Sequence, residues 1–130
     1  MSSRSSRAVT AITVYNSASL DLLRCDIRNT NRAILVRGQS NLRVKQCMFA
    51  HASDGIVTEG GGSIECEHTT FDVGIALKLD ELVRGHAIGN RFWARVFGPA
   101  IKPAAFKCAS NTYSADTDAE DEIEAETGEE

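Results

Sequence analysis

The chain has 130 residues, a net charge of −4 and 42% hydrophobic residues, a composition typical of one globular domain. It contains no run of 18 apolar residues, so we expect no membrane-spanning helix. The first residues, MSSRSSRA, include arginines but lead into no apolar segment, which argues against a secretory signal and therefore favours thiols over disulfides at Cys25, Cys47, Cys66 and Cys108.

Charge is distributed unevenly along the chain. All 14 lysines and arginines lie in residues 1–114 together with nine acids, so this part of the chain has a net charge of +5. Residues 115–130 hold the other nine acids. We expect residues 1–8 to form a flexible arm, residues 9–114 the folded domain, and residues 115–130 a disordered acidic tail. The tail is interpreted as solubilising or as an acidic peptide that docks on a basic surface of this chain or of a partner.

The first elements along the chain are two short strands with alternating apolar residues, Ile12-x-Val14 and Leu20-x-Leu22, separated by the turn formers Asn16-Ser17. The second strand leads into Cys25-x-Ile27, and the same succession then recurs. The second strand starts at Leu20, Leu42, Ile64, Gly85 and Phe106, in steps of 22, 22, 21 and 21 residues. The first strand returns as Ile34-x-Val36, Ile56-x-Thr58 and Leu77-x-Leu79.

A repeat of this length predicts a solenoid. Leucine-rich repeats have a similar period, but here the apolar residues alternate with a period of two and no segment favours a helix. We therefore predict an all-β fold, a right-handed single-stranded parallel β-helix of about five rungs, each rung being one repeat. Equivalent side chains then stack in columns, roughly 4.8 Å apart.

Three columns follow from this register. One inward column contains Cys25, Cys47, Thr69, Asn90 and Asn111. The inward column beside it contains Ile27, Phe49, Phe71, Phe92 and Tyr113. The outward column alternates in charge and contains Asp21, Arg43, Glu65, His86 and Lys107. We interpret the cysteines as small apolar residues in a tight corner. Because stacked cysteines point the same way, we expect them to remain free thiols.

Catalytic and metal-binding motifs are weak in this sequence. Glu65 and Glu67 are neighbouring acids beside His68, but glycoside hydrolysis needs carboxylates that converge from adjacent rungs. Cys66-x-His68 has no second pair at zinc spacing. The glycines of residues 59–62 are not followed by Gly-Lys-Ser/Thr, so we interpret them as a tight corner rather than a phosphate loop. We expect no enzymatic activity, cofactor or metal.

Basic residues are concentrated in the first two rungs. They are Arg24, Arg28, Arg32, Arg37 and Arg43. A solvated face is the favoured interpretation, followed by a surface for an acidic protein; nucleic acid is least favoured because no aromatic residues accompany the arginines. The three histidines, His51, His68 and His86, are expected at the surface.

The fourth rung contains an aromatic-rich insertion at residues 92–99. We expect Trp93 and Phe97 either to cap the helix end or to contact a neighbouring chain. Five rungs leave strand edges at both ends, and cyclic association is a common remedy. We therefore expect a homotrimer, with Trp93, Phe97, Arg24 and Arg43 as the candidate interface residues.

A family resemblance lies in residues 19–77. The stretch RVKQCMFAHASDGIVTEGGGSIECEHTTF resembles the β-helical part of the adenoviral early-region large T antigen, whose rungs have the same C-x-F followed by G-(I/V). It also resembles the related left-end capsid proteins of atadenoviruses. The resemblance covers about half of the chain and transfers no functional residue. It implies a trimeric cement protein that contacts other capsid proteins, in the virion and, during assembly, in the host nucleus.

The leading hypothesis is thus a non-enzymatic viral structural protein, a trimeric β-helix that cements or decorates a capsid. One alternative is a regulatory protein-binding module like the T antigen, which would use the arginines to bind a host protein. Another is a fragment like a phage tailspike that binds or cleaves glycans. None of these hypotheses includes a membrane partner.

Overall fold

The computed structural model describes residues 8–97 and 102–113, with side chains from residue 10 onward. Strand β1 starts at Ala8, one residue inside the expected arm. The rest of that arm and the acidic tail lie outside the described residues. Within the described ranges, no helix is long and apolar enough to cross a membrane.

All regular elements in the described ranges are strands. They are β1 (Ala8–Val14), β2 (Ser19–Leu23), β3 (Asp26–Arg37), β4 (Asn41–Lys45), β5 (Met48–Glu59), β6 (Ser63–Glu67), β7 (Thr70–Asp72), β8 (Ile75–Lys78), β9 (Arg84–Ile88), β10 (Arg91–Phe92), β11 (Phe106–Ala109) and β12 (Thr112–Tyr113).

The strands form two parallel sheets that wind around one core. The five-stranded sheet has the order β11-β9-β6-β4-β2, and the seven-stranded sheet has the order β1-β3-β5-β7-β10-β12, with β8 also paired to β5. Strand partners are 21 or 22 residues apart in every pairing, as between Leu42 and Ile64 or between Ile34 and Ile56. The predicted β-solenoid of about five rungs and its register are confirmed.

Alternation of side chains places the core inside the coil. Leu42 and Val44 of β4 are buried, whereas the intervening Arg43 is exposed. The column that begins with Leu20 continues through Leu42 and Ile64 and is interrupted at Gly85. A Cβ at Gly85 would lie 1.8 Å from the Ile64 carbonyl oxygen, and its φ of +133° also suits glycine. Backbone proximity therefore explains why this rung matches the repeat least well.

The first corner of each rung is built on one residue in the left-handed conformation. These residues are Arg24, Gln46, His68, Gly89 and Ser110, with φ between 51° and 69°. The next residue in each rung belongs to the column Cys25, Cys47, Thr69, Asn90 and Asn111, which we call the corner ladder. The sharp bend removes the ladder residue's N–H from ordinary strand pairing, so that this donor needs another acceptor.

Side chains of the corner ladder provide that acceptor, one rung further on. The Cys25 N–H donates to Cys47 Sγ at 3.4 Å, the Cys47 N–H to Thr69 Oγ1 at 3.4 Å, and the Thr69 N–H to Asn90 Oδ1 at 2.9 Å. The Asn90 N–H donates to Asn111 Oδ1 at 2.8 Å. The cysteines are free thiols, as expected, and Cys47 Sγ is also a hydrogen-bond acceptor and not only an apolar filler.

An aromatic stack lies directly beside the corner ladder. The ring centroids of Phe49 and Phe71 are 5.1 Å apart, those of Phe71 and Phe92 5.2 Å, and those of Phe92 and Tyr113 5.6 Å. The three phenylalanines are fully buried. Because this column, which starts at Ile27, contributes large apolar area in each rung, it forms the centre of the core.

The other two corners differ from the first. Asn29 and His51 adopt positive φ inside the 12-residue strands β3 and β5, so pairing continues around this bend. At the third corner, Asp80 accepts hydrogen bonds from the N–H groups of Gly60 and Gly61, the latter at 2.7 Å. The glycine-rich segment is thus the expected tight corner, and its N–H groups bind a carboxylate of this chain.

Candidate interaction surfaces

Trp93 is the largest exposed aromatic side chain of the described residues. It follows β10, where Phe92 points into the core, so that Arg91 and Trp93 point outward. Trp93 is 49% exposed, and the guanidinium carbon of Arg91 lies 5.9 Å from its ring centroid. The cation therefore stacks over a ring that remains accessible to a partner.

Phe97, the second expected interface aromatic, is buried. It is 6% exposed and packs edge to face on Phe106, with the ring centroids 6.4 Å apart. Its position matches the capping alternative and not an exposed anchor. The contact of Phe97 with a neighbouring chain stays a prediction, and little of the ring is accessible for it in the single chain.

Arg24 and Arg43, the two expected interface arginines, lie far along the solenoid from Trp93. Arg24 occupies a corner of the first rung, and Arg43 lies in β4 of the five-stranded sheet, whereas Trp93 follows a strand of the seven-stranded sheet. Arg43 Nε lies 3.2 Å from Glu65 Oε1. The structure does not bring these residues and Trp93 into one patch.

The remaining arginines of the first two rungs also fail to form one basic face. Arg28, Arg32 and Arg37 all belong to β3, and the bend at Asn29 separates Arg28 from the other two. Arg28 pairs with Asp26 at 2.7 Å, which lowers the pKa of that carboxyl through their hydrogen bond, and Arg37 pairs with Glu59 at 3.3 Å. These arginines are close together in the sequence, but they do not share one surface.

The outer face of the five-stranded sheet is a ladder of opposite charges. The register of the expected outward column is confirmed, and Arg43 and Glu65 form an ion pair within it. His86 Nε2, however, lies 2.8 Å from Glu67 Oε2 in the neighbouring column. The His86 hydrogen bond, with a further contribution from Lys45 at 3.8 Å, lowers the pKa of Glu67. His51 and His68 are exposed, as expected, whereas His86 is half-buried.

A groove of about 740 Å³ runs along the outer face of the seven-stranded sheet. Its lining combines the apolar Val57 with the charged groups of Arg32, Asp54 and Lys78. Asn31, Ser53 and Glu59 also line it. Sequence reasoning missed this site, although the 22-residue spacing of Arg32 and Asp54 places them side by side. The lining therefore combines charges of both signs with apolar side chains.

In the described ranges, the buried side chains of the solenoid form no reactive or metal-binding site. Burial raises the pKa of the Cys66 thiol and that of the Cys47 thiol, so both are held in the unreactive protonated form. No buried side-chain nitrogen or oxygen of this part of the chain lacks a hydrogen bond. No group of three His, Cys, Asp or Glu residues in it is arranged to hold a metal ion.

Comparison with known proteins gives no match: neither a family model, nor a curated protein, nor a solved structure is similar to the chain.

Proposed function

We propose that the protein is a non-enzymatic structural protein that associates side by side as a homotrimer and cements or decorates a viral capsid. The observation that carries the proposal is the half-exposed Trp93 with Arg91 over its ring. Tryptophan and arginine are enriched among the residues that dominate protein interfaces. Because Trp93 points sideways from the coil, it favours lateral association over stacking at the ends.

The distribution of polar groups also supports a structural role. The corner ladder and the outer ion pairs join residues of successive rungs, as in the bonds of Thr69 to Asn90 and of Arg43 to Glu65. These contacts hold successive rungs together and leave a lateral surface that repeats from rung to rung. The viral setting, with contacts to other capsid proteins in the virion and host nucleus, rests on the resemblance of residues 43–71 to the adenoviral β-helices.

Light scattering of the purified chain tests the assembly. We expect a mass three times the 14.1 kDa of one chain at micromolar concentration. Trp93→Ala is expected to shift this mass to that of the monomer while the circular dichroism spectrum stays that of a β protein. Leu82→Ala is the matched control, because Leu82 is 65% exposed at a different corner and its removal should leave the trimer intact.

A monomer mass for the unaltered chain would reject the trimer, and an unchanged trimer in Trp93→Ala would place the interface elsewhere. The capsid role is tested separately by mass spectrometry of purified virions, in which the chain should be present at a fixed copy number. Absence from virions would reject the capsid role whatever the oligomeric state.

Glycan binding is a second candidate function, favoured by the groove. Its lining includes the Asp54 carboxylate and the Lys78 ammonium, the latter opposite Val57 in the next rung. Calorimetric titration with neutral oligosaccharides should then show binding that Asp54→Ala weakens at least about tenfold, the loss of one charge-assisted hydrogen bond. Asp21→Ala, on the other sheet, should bind as the unaltered chain does.

A further inference from the structure

The groove on the seven-stranded sheet contains an opposite-charge pair of register partners that does not close into an ion pair. On the other sheet, Arg43 lies opposite Glu65 in the next rung and pairs with it at 3.2 Å. Arg32 lies opposite Asp54 in the same way, and both side chains line the groove. Among the described residues, however, neither Arg32 nor Asp54 has an ion-pair partner.

The other two acids of the groove lining already have partners. Glu59 pairs with Arg37 at 3.3 Å. The carboxylate of Asp80 accepts hydrogen bonds from two glycine N–H groups of the third corner. Asp54 is half-buried, and in the described part of the chain it is the acid of this lining that keeps its carboxylate for a ligand.

Lys78 adds a second cation at a different position in the groove. It is exposed and forms no ion pair with any described acid. Its register partner is Val57, which follows Asp54 by three residues in β5. The backbone position of Lys78 is therefore displaced by about 10 Å along the strands from the column of Arg32 and Asp54.

These unpaired charges favour a charged ligand over a neutral one. A neutral ligand would exclude water from the three side chains and offer no counter-charge, which is unfavourable. The two cations and one anion are matched by a ligand with two anionic groups and one cationic group. In an extended tripeptide with free ends, the ammonium and the terminal carboxylate are about 10 Å apart. The groove of about 740 Å³ is large enough for such a ligand.

We propose that the groove binds a short extended peptide that has free ends and one acidic side chain. The peptide ammonium lies at Asp54, its terminal carboxylate at Lys78, and its acidic side chain at Arg32. Asn31 and Ser53, which also line the groove, supply hydrogen-bond partners for the peptide backbone. This site does not depend on the trimer or on the viral role.

A titration of the isotope-labelled full chain with the tripeptide Glu-Ala-Ala, followed by NMR, tests the site. We expect saturable shifts of the groove amides with a dissociation constant below about 1 mM. Three matched peptides each lack one charge: the N-acetyl form, the C-terminal amide, and Gln-Ala-Ala. Each should bind at least about threefold more weakly than Glu-Ala-Ala.

Three variants of the chain assign each peptide charge to one side chain. Asp54→Asn should weaken binding of Glu-Ala-Ala but not of its N-acetyl form, and Lys78→Gln should weaken it but not that of the C-terminal amide. Arg32→Gln should remove the preference for Glu-Ala-Ala over Gln-Ala-Ala. Asp21→Asn is the matched control, because it makes the same change in charge at an exposed position of the other sheet and should leave the affinity unchanged.

Shifts that do not saturate, or that lie outside the groove, would overturn the peptide site. Tighter binding of a neutral oligosaccharide than of Glu-Ala-Ala would assign the groove to glycans instead. Equal losses in Asp54→Asn and Asp21→Asn would also overturn it, because the response would then follow net charge alone. If Asp54→Asn weakened the N-acetyl form as much as the free peptide, the contact between Asp54 and the ammonium would be rejected.

Discussion

At the scale of single residues, the corner ladder shows how one structural need selects different amino acids. The residue must be short, and it must present an acceptor to the N–H of the preceding rung. Cysteine, threonine and asparagine all satisfy these conditions, and Asn90 additionally donates through Nδ2 to the Cys66 carbonyl at 3.1 Å. Chemical similarity between ladder residues is therefore low even though their structural role is the same.

Replacing Asn90 with leucine should expose this role. The variant keeps a similar volume but leaves the buried Thr69 N–H without its acceptor, and we expect a loss of about 1–3 kcal/mol in the free energy of unfolding. Urea denaturation measures the loss. Thr112→Ala, at an exposed position of the neighbouring rung, should change stability by less than about 0.5 kcal/mol. Equal losses would mean that the ladder bond contributes nothing of its own.

The aromatic column gives the largest single-residue prediction. Phe49 is fully buried against Phe71, so Phe49→Ala removes a closely packed ring and leaves a cavity that should cost about 3–5 kcal/mol. Arg43→Ala removes only an exposed ion pair and should cost less than about 1 kcal/mol. Chemical denaturation of both variants compares them, and similar losses would contradict the burial of Phe49.

At the scale of elements, periodic residues could be predicted from the sequence and irregular ones could not. Ile34 and Ile56 identify their own register, because stacked inward positions require similar apolar residues in every rung. Phe97 has no equivalent in other rungs, so its burial on Phe106 depends on tertiary packing that no repeat specifies. His86 likewise pairs with Glu67 and not with Glu65. These two acids belong to adjacent columns, and side-chain packing decides between them.

The groove was missed for a related reason. Its lining comes mostly from β3, β5 and β8, where the spacing repeats but the residue type does not. Arg32, Asp54 and Ile75 occupy one column yet share no chemistry. Concavity of a sheet face is set by the bends at its corners, and a linear pattern of polar residues does not encode it.

Two glycines with positive φ differ in how closely the neighbouring backbone approaches them. Gly85→Ala places a methyl group 1.8 Å from the Ile64 carbonyl, so β6 and β9 must separate, and we expect a loss of more than about 3 kcal/mol. Gly38→Ala, at a φ of +69° that alanine tolerates better than +133°, meets no atom within 4 Å, and it should lose about 1 kcal/mol. Thermal or urea unfolding compares the two variants, and equal losses would show that the close approach of the Ile64 carbonyl contributes nothing.

At the scale of the whole molecule, each rung contacts only the rungs before and after it. The inward residues of the first rung, such as Leu20 and Leu22, are only half-buried, whereas Leu42 and Val44 in the second are almost completely covered. Stability in such an array is a sum over neighbouring interfaces, so the terminal rungs open more readily than the central ones.

The reactivity of the four thiols should follow this difference between terminal and central rungs. With a thiol-specific reagent, Cys25 should react in the native chain, since it is half-buried in the first rung. Cys66 and Cys108 are both buried, but Cys66 lies in the central rung and should react more slowly than Cys108 in the last. Mass spectrometry of labelled peptides follows each site. Equal rates at Cys66 and Cys108 would show that all rungs open together.

The corner ladder also has a direction, because each N–H donates only to the side chain of the following rung. A nascent chain that emerges from the ribosome amino end first therefore presents, at every stage, one corner amide awaiting its acceptor. Asn90, for example, gains its partner only when Asn111 has been synthesised and folded into place. Growth proceeds by one rung at a time, each completed by its successor, and shortening the solenoid from its carboxyl end exposes an amide that shortening from its amino end does not.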